Sequence, residues 1–180
     1  MSPLAMAACV VGVAIVLVHI PAVFAPGLFR RALLAFPRSR WPGWALTLFD
    51  LAWVSWVIYH ASLGRFEFMK PWLYVAAPVS FLLIVFFMDE LLSPRAFGGF
   101  LLLVANPVLN AARWHESNWR WVMAIIAYVW VIGGIMLVLS PYRFRQIAEI
   151  ASKTELRCRV GGAVRLAVGT CLVILGLTVY

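Results

Sequence analysis

The residues of this sequence with the clearest chemical potential are polar side chains inside otherwise apolar stretches. Asp50, Asn106 and Arg165 each lie within such a stretch. A charged side chain at the centre of a membrane-spanning helix costs roughly 2.5–3.5 kcal/mol on insertion scales, and such residues face the interior of a bundle, where they mark sites or buried contacts. These three residues are therefore the first candidates for function.

Asp50 and Arg165 are predicted to lie at similar depths, because each follows a basic segment by one or two helical turns. That depth permits an ion pair between them. Asp50, Trp53, Val57 and His60 also share one helical face at spacings of three, four and three. The pattern indicates either a proton or ligand site, or a buried ionic contact that fixes helix packing. Arg165 can alternatively extend its side chain to the membrane interface.

Asn106 and Pro107 stand in the middle of the apolar stretch 96–112, and Asn110 follows one turn later. A proline inside a helix frees a backbone carbonyl, which a neighbouring helix or an amide side chain must satisfy. Broken helices of this kind form substrate sites in transporters. The alternative is a kink packed within a bundle.

The histidines and cysteines do not form a pattern that predicts a metal or haem site. His19 and His60 are predicted to lie on opposite sides of the bilayer, so they cannot ligate one iron. The three cysteines form no CxxC arrangement. The sequence predicts no cofactor, although bound lipids are expected.

Two adjacent carboxylates, Asp89 and Glu90, end the apolar stretch 71–92. Paired carboxylates can perform acid–base chemistry, but neighbouring residues project from different sides of a helix. We expect local pairing with Arg95 or with the basic links instead.

The composition is that of an all-α polytopic membrane helix bundle with one domain, residues 1–180. Hydrophobic residues make up 64% and charged residues 12%, with a mean hydropathy of +0.95. Soluble domains are about 45–50% apolar and about 25% charged. The apolar runs are continuous rather than alternating, which excludes a β-barrel.

Six transmembrane helices are predicted. A helix needs about 20 apolar residues to cross the hydrocarbon core. The shorter stretch 96–112 could instead be re-entrant, which would leave five spans plus a re-entrant segment. The five stretches of sufficient length are 4–25, 43–63, 71–92, 118–140 and 160–180.

The distribution of basic residues favours six spans. Most lie in two links, 26–42 and 141–159, which face the same side of the membrane only if the stretch 96–112 crosses. The positive-inside rule then places both links in the cytoplasm and both termini outside it. Each link is predicted to contain a short interfacial helix. The net charge of +8 therefore reflects membrane topology and predicts no nucleic-acid partner.

A repeated motif, Pro-x-x-Phe-Arg, begins both basic links. It occurs at Pro26 to Arg30 and at Pro141 to Arg145, with a partial copy from Pro94 to Phe97. The motif predicts a parallel repeat of two hairpins, 4–63 and 118–180, unless span exits simply favour these residue types. The residues expected to contact lipid or a partner at this interface are Phe29, Arg30, Arg31, Phe144 and Arg145.

The final third of the chain resembles a known family. Gly133-Gly134, Ser140-Pro141-x-x-Phe144-Arg145 and Arg159-x-Gly161 within residues 124–180 are similar to small two-helix bacterial inner-membrane proteins of unknown function. The resemblance implies a bacterial inner membrane and no particular activity.

Three functions are consistent with these features. The first is a non-catalytic integral membrane subunit that packs against other membrane subunits in a complex. Ala163, Ala167 and Cys171, spaced for close helix contact in this chain or a partner, support it. The alternative is a small transporter or channel that uses Asp50 and a helix kinked at Asn106-Pro107. An intramembrane enzyme acting on lipid or quinone is the third, but no constellation of residues supports it.

Overall fold

The computed structural model describes residues 1–88 and 91–180, and the regular secondary structure of this part is helical, without a strand. Two 3-10 segments, Phe36–Arg38 and Gly64–Trp72, lie between helices. The predicted all-α class is therefore confirmed. The α-helices of the described part are α1 (Pro3–Phe24), α2 (Pro26–Ala35), α3 (Arg40–His60), α4 (Leu73–Phe87), α5 (Leu92–Arg113), α6 (Arg120–Leu139), α7 (Tyr142–Ala151) and α8 (Glu155–Thr178).

Five helices in the described residues are long and apolar enough to cross a membrane, which is the pattern of a multi-pass membrane protein. They are α1, the continuous segment Gly64–Phe87 that contains α4, and α5, α6 and α8. The stretch 96–112, for which a re-entrant course was the alternative, lies within the single 22-residue helix α5. α3 has 21 residues but is not one of the five. Asp50 and its polar aromatic neighbours lower the hydropathy of α3.

The first and last long helices, α1 and α8, pack closely at their glycines. A Cβ atom at Gly12 would lie 2.6 Å from the carbonyl oxygen of Gly169, and one at Gly162 would lie 2.7 Å from Cβ of Ala22. Residues later in α1 contact residues earlier in α8, so the two helices are antiparallel. Glycine allows this approach of the two backbones, which any larger residue would prevent.

A second pair, α5 and α6, approaches at Gly98 and Gly134. A Cβ atom on either glycine would lie 2.8 Å from the carbonyl oxygen of the other. The main apolar cluster joins the two pairs, because it contains residues of α1, α5, α6 and α8. Its most buried members are Leu4, Ala8, Ala105, Met123, Ala127 and Leu172.

α3 packs on α5 in the parallel direction. Gly43 lies against Ser93, and Asp50 lies against Gly99 further along both helices. α4 is peripheral, because it packs on α3 and none of its residues is buried. α3 and α4 therefore lie on one side of the core that α1, α5, α6 and α8 form.

α2 and α7 confirm the short helices predicted in the two basic links. Both are ten residues long, and they lie at the end of the bundle where α5 begins. The order of long helix, short helix, long helix is thus repeated. α1 packs mainly on α8, while α3 and α6 both pack on α5. The hairpin repeat itself stays a prediction.

Tyr180 closes the opposite end of the bundle. Its hydroxyl donates a hydrogen bond of 2.6 Å to the carbonyl oxygen of Trp119, and its ring contacts His115. Burial raises the pKa of Tyr180 above its ordinary value. Arg120 donates to the carbonyl oxygen of His115 at 2.9 Å. These contacts hold the α5–α6 loop against the end of α8.

Candidate functional site

Asp50 lies midway along α3, in contact with α5. A Cβ atom at Gly99 would lie 3.0 Å from Oδ2 of Asp50. The absence of a side chain at Gly99 therefore makes room for this carboxylate. The sequence predicted a functional or packing role for Asp50 with Arg165 as its possible partner, and it gave no indication of contact with Gly99.

Four buried polar atoms on the two facing helices α3 and α5 have no hydrogen-bond partner in the described part of the chain. They are Nε1 of Trp44, Oγ1 of Thr47 and Oδ1 of Asp50 on α3, and Nε of Arg95 on α5. The three α3 residues follow one another at a spacing of three, so they lie along one side of the helix. We call this group, together with Gly99, the α3–α5 seam.

The seam contains both donors and acceptors. The indole and guanidinium nitrogens donate, the carboxylate oxygen accepts, and the threonine hydroxyl can do both. Buried polar groups in proteins almost always have a partner, which is often an ordered water. The seam therefore offers donors and acceptors to water or another small polar species beside the carboxylate at the α3–α5 contact.

Asp50 and Arg165 are not brought together. Nη1 of Arg165 donates to the carbonyl oxygen of Gly161 at 3.2 Å, within its own helix. The two side chains are both described and form no ion pair with each other. The predicted pairing is therefore absent from the structure, because α3 faces α5 rather than α8.

His60 does not share the environment of Asp50. Nδ1 of His60 bonds the carbonyl oxygen of Trp56 at 2.9 Å, and the two rings lie 4.1 Å apart. His60 borders a cleft of about 730 Å³ between α3 and α4, which Tyr59 and Tyr74 also line. The α3 residues predicted to share one face therefore lie in two environments. Asp50 contacts α5, and His60 borders the cleft beside α4.

Asn106 and Asn110 are both exposed on α5. Nδ2 of Asn110 donates to Oδ1 of Asn106 at 3.1 Å. α5 remains one helix through Pro107. The two amides lie on the same face of α5 as Gly99, at spacings of seven and eleven residues, but further from the basic links. No other side chain in the described residues hydrogen-bonds to them.

A second region lies where the basic links meet. The phenylalanines of all three Pro-x-x-Phe motifs, Phe29, Phe97 and Phe144, line one cavity of about 540 Å³. The ring centroids of Phe97 and Phe144 are 6.3 Å apart, and that of Phe36 is 5.2 Å from Phe144. We call this space the link cavity. The motif was visible in the sequence, but its convergence on one cavity was not.

The polar wall of the link cavity comes from α1 and α8. His19, Arg157 and Arg165 line it, together with Ser152, whose hydroxyl donates to the carbonyl oxygen of Ala148. The other predicted interfacial residues do not line the cavity. Arg145, for example, bonds Glu149 at 2.7 Å on the exposed side of α7, and Arg30 and Arg31 also lie outside the lining.

No group of three or more His, Cys, Asp or Glu side chains suited to a metal occurs within residues 1–88 and 91–180. His19 borders the link cavity, and His60 borders the separate α3–α4 cleft. The carboxylates of Asp89 and Glu90, considered above for acid–base chemistry, lie outside the described residues.

Comparison with known protein families, with curated proteins and with solved structures finds no match. The resemblance of residues 124–180 to two-helix inner-membrane proteins therefore stays a prediction. The features of the chain that bear on function are the seam, the exposed asparagines and the link cavity.

Proposed function

We propose that this chain is a non-catalytic integral membrane subunit that packs against other subunits through α5. The observation that carries the proposal is the exposed pair Asn106 and Asn110. Their mutual hydrogen bond uses one donor and one acceptor. The remaining amide donors and acceptors have no side-chain partner in the described part of the chain.

The depth of Asn106 makes this exposure significant. Seven residues separate Asn106 from Arg113 at the end of α5, which is about 10 Å of helix at a rise of 1.5 Å per residue. Polar side chains at such depth in a membrane typically hydrogen-bond across helices, and model systems give about 0.6–2 kcal/mol for each bond. A partner helix on this face would supply the missing donors and acceptors.

The proposal includes six spans, with α3 as a crossing helix. The parallel packing of α3 on α5, itself apolar and long enough to cross, supports this. We propose that the basic links face the cytoplasm of a bacterium and that both termini lie outside it, in accordance with the positive-inside rule.

Replacing both Asn106 and Asn110 by leucine tests the proposed contact. We expect the double variant to fold but to lose its partners, because leucine suits lipid and cannot hydrogen-bond. The measurement is quantitative mass spectrometry of proteins that co-purify with the tagged chain in mild detergent. We expect the recovery of stoichiometric partners to fall at least tenfold.

Thr170→Leu is the matched control, because Thr170 is an exposed polar residue on α8, outside the proposed contact. It should retain the partners. A wild-type chain that purifies alone and monodisperse would contradict the subunit proposal. So would a double asparagine variant that keeps every partner.

The α3–α5 seam favours a second candidate, a small transporter or channel. Unpartnered donors and acceptors around Asp50 are suited to a hydrated path for protons or small polar solutes. In reconstituted vesicles, Asp50→Asn would then reduce proton or solute flux at least tenfold. Equal flux in the variant would eliminate this candidate.

A further inference from the structure

We propose that the link cavity binds one anionic phospholipid, with its headgroup at Arg157 and Arg165 and an acyl chain between the three phenylalanines. The site is separate from the Asn106–Asn110 face, and it does not depend on the subunit proposal.

The cavity has the size and chemistry for an acyl chain. Its volume of about 540 Å³ lies within the range of about 300–1,000 Å³ that is typical of ligand sites. Phe29, Phe97 and Phe144 provide aromatic walls, and Met136 adds a flexible apolar side chain. Most of the remaining lining residues are also apolar.

Within the described part of the chain, the basic side chains on the cavity wall have no carboxylate partner. In residues 1–88 and 91–180, carboxylates pair with Lys70 and Arg145 but with neither Arg157 nor Arg165. Nη1 of Arg165 bonds only the carbonyl oxygen of Gly161, which leaves most of its guanidinium donors free. A phosphate is a fitting acceptor for two guanidinium groups.

The position of the cavity favours a lipid over a soluble anion. α1, α6 and α8, whose ends enclose it, are each long and apolar enough to span a membrane. A ligand bound at the ends of these helices lies at the membrane interface, where it contacts both the acyl chains and the headgroups of the lipids. Basic pockets between helices at this interface are suited to anionic headgroups. An anionic phospholipid combines the two chemistries that the walls offer.

The experiment titrates the delipidated full-length chain in detergent with phosphatidylglycerol, phosphatidylcholine or palmitate, and measures binding by native mass spectrometry. We expect one phosphatidylglycerol per chain and at least tenfold weaker binding of phosphatidylcholine. Arg157→Gln with Arg165→Gln should reduce phosphatidylglycerol affinity at least tenfold. Arg143→Gln with Arg159→Gln is the control, because these exposed basic residues lie outside the cavity, and it should change affinity less than threefold.

Gly133→Leu tests the apolar half of the site. Gly133 lines the cavity, and outside its own stretch of helix no atom lies within 4 Å of the position its Cβ would take, so a larger side chain begins in open space. We expect this variant to keep its fold, by circular dichroism, and to lose phosphatidylglycerol binding. Ala151→Leu on α7 offers a second way to fill the cavity.

Several results would overturn the assignment. Equal binding of phosphatidylcholine would show that charge is not recognised. Tighter binding of palmitate would point to a free fatty acid instead of a phospholipid. Unchanged phosphatidylglycerol binding in folded Gly133→Leu and Ala151→Leu variants would place the lipid elsewhere.

Discussion

Gly12→Ala is expected to destabilise the bundle by separating α1 from α8. The new Cβ atom would lie 2.6 Å from the carbonyl oxygen of Gly169 and 3.0 Å from the amide nitrogen of Val173. Both are backbone atoms, so the contact cannot be relieved by rotating a side chain. The helices must move apart.

The size of the effect follows from two opposing contributions. Forcing an extra methyl group into a close-packed contact typically costs about 1–3 kcal/mol. Alanine's better helix propensity offsets at most about 1 kcal/mol. We therefore expect Gly12→Ala to lower the free energy of unfolding by about 1–2 kcal/mol. Gly169→Ala should act in the same direction, because its Cβ would lie 2.9 Å from the carbonyl oxygen of Gly12.

Thermal unfolding in detergent, followed by circular dichroism, measures this effect. Gly133→Ala is the matched control, because it makes the same chemical change within α6, where no atom lies within 4 Å of the new Cβ. It should be neutral or slightly stabilising. Equal melting temperatures for Gly12→Ala and Gly133→Ala would show that α1 and α8 do not pack through Gly12 and Gly169.

The positions of the helices could be predicted from the sequence, because hydropathy and proline placement act locally. The stretch 4–25 corresponds to Pro3–Phe24, and the short link helices begin at or next to Pro26 and Pro141. A helix of about 20 apolar residues has few alternatives in a membrane. This local constraint explains the agreement.

The packing face of α8 could not be predicted in the same way. The four-residue spacing of Ala163, Ala167 and Cys171 predicts close contact with a helix of this chain or of a partner, and within this chain all three are exposed. The buried row is instead Gly162, Gly169 and Gly176. The seven-residue spacing of these glycines was visible, but which row is buried depends on the shape of α1 opposite it.

The sequence pattern also could not identify the residue that contacts Asp50. Equal depth in the membrane allowed contact with Arg165, but depth does not determine which helices are neighbours. The structure places Gly99 against Asp50 instead. The same limit applies to Phe29, Phe97 and Phe144, which share a sequence motif but converge only because of the tertiary fold.

Asp50→Asn is expected to increase the stability of the protein. Asp50 lies at the middle of α3, and its buried Oδ1 has no hydrogen-bond partner. If α3 crosses the membrane as proposed, a charge at its centre costs about 2.5–3.5 kcal/mol, and asparagine has almost the same shape without the charge. We expect the free energy of unfolding to rise by about 1–3 kcal/mol.

Chemical unfolding in detergent micelles at neutral pH measures the change. Glu67→Gln is the control, because it neutralises an exposed carboxylate that already bonds Lys70 at 2.6 Å, and it should leave stability almost unchanged. A loss of stability in Asp50→Asn would mean that the carboxylate makes a favourable contact, through water or with Arg95. A gain would mean that the chain keeps Asp50 at a cost to its stability, which is typical of a residue retained for function.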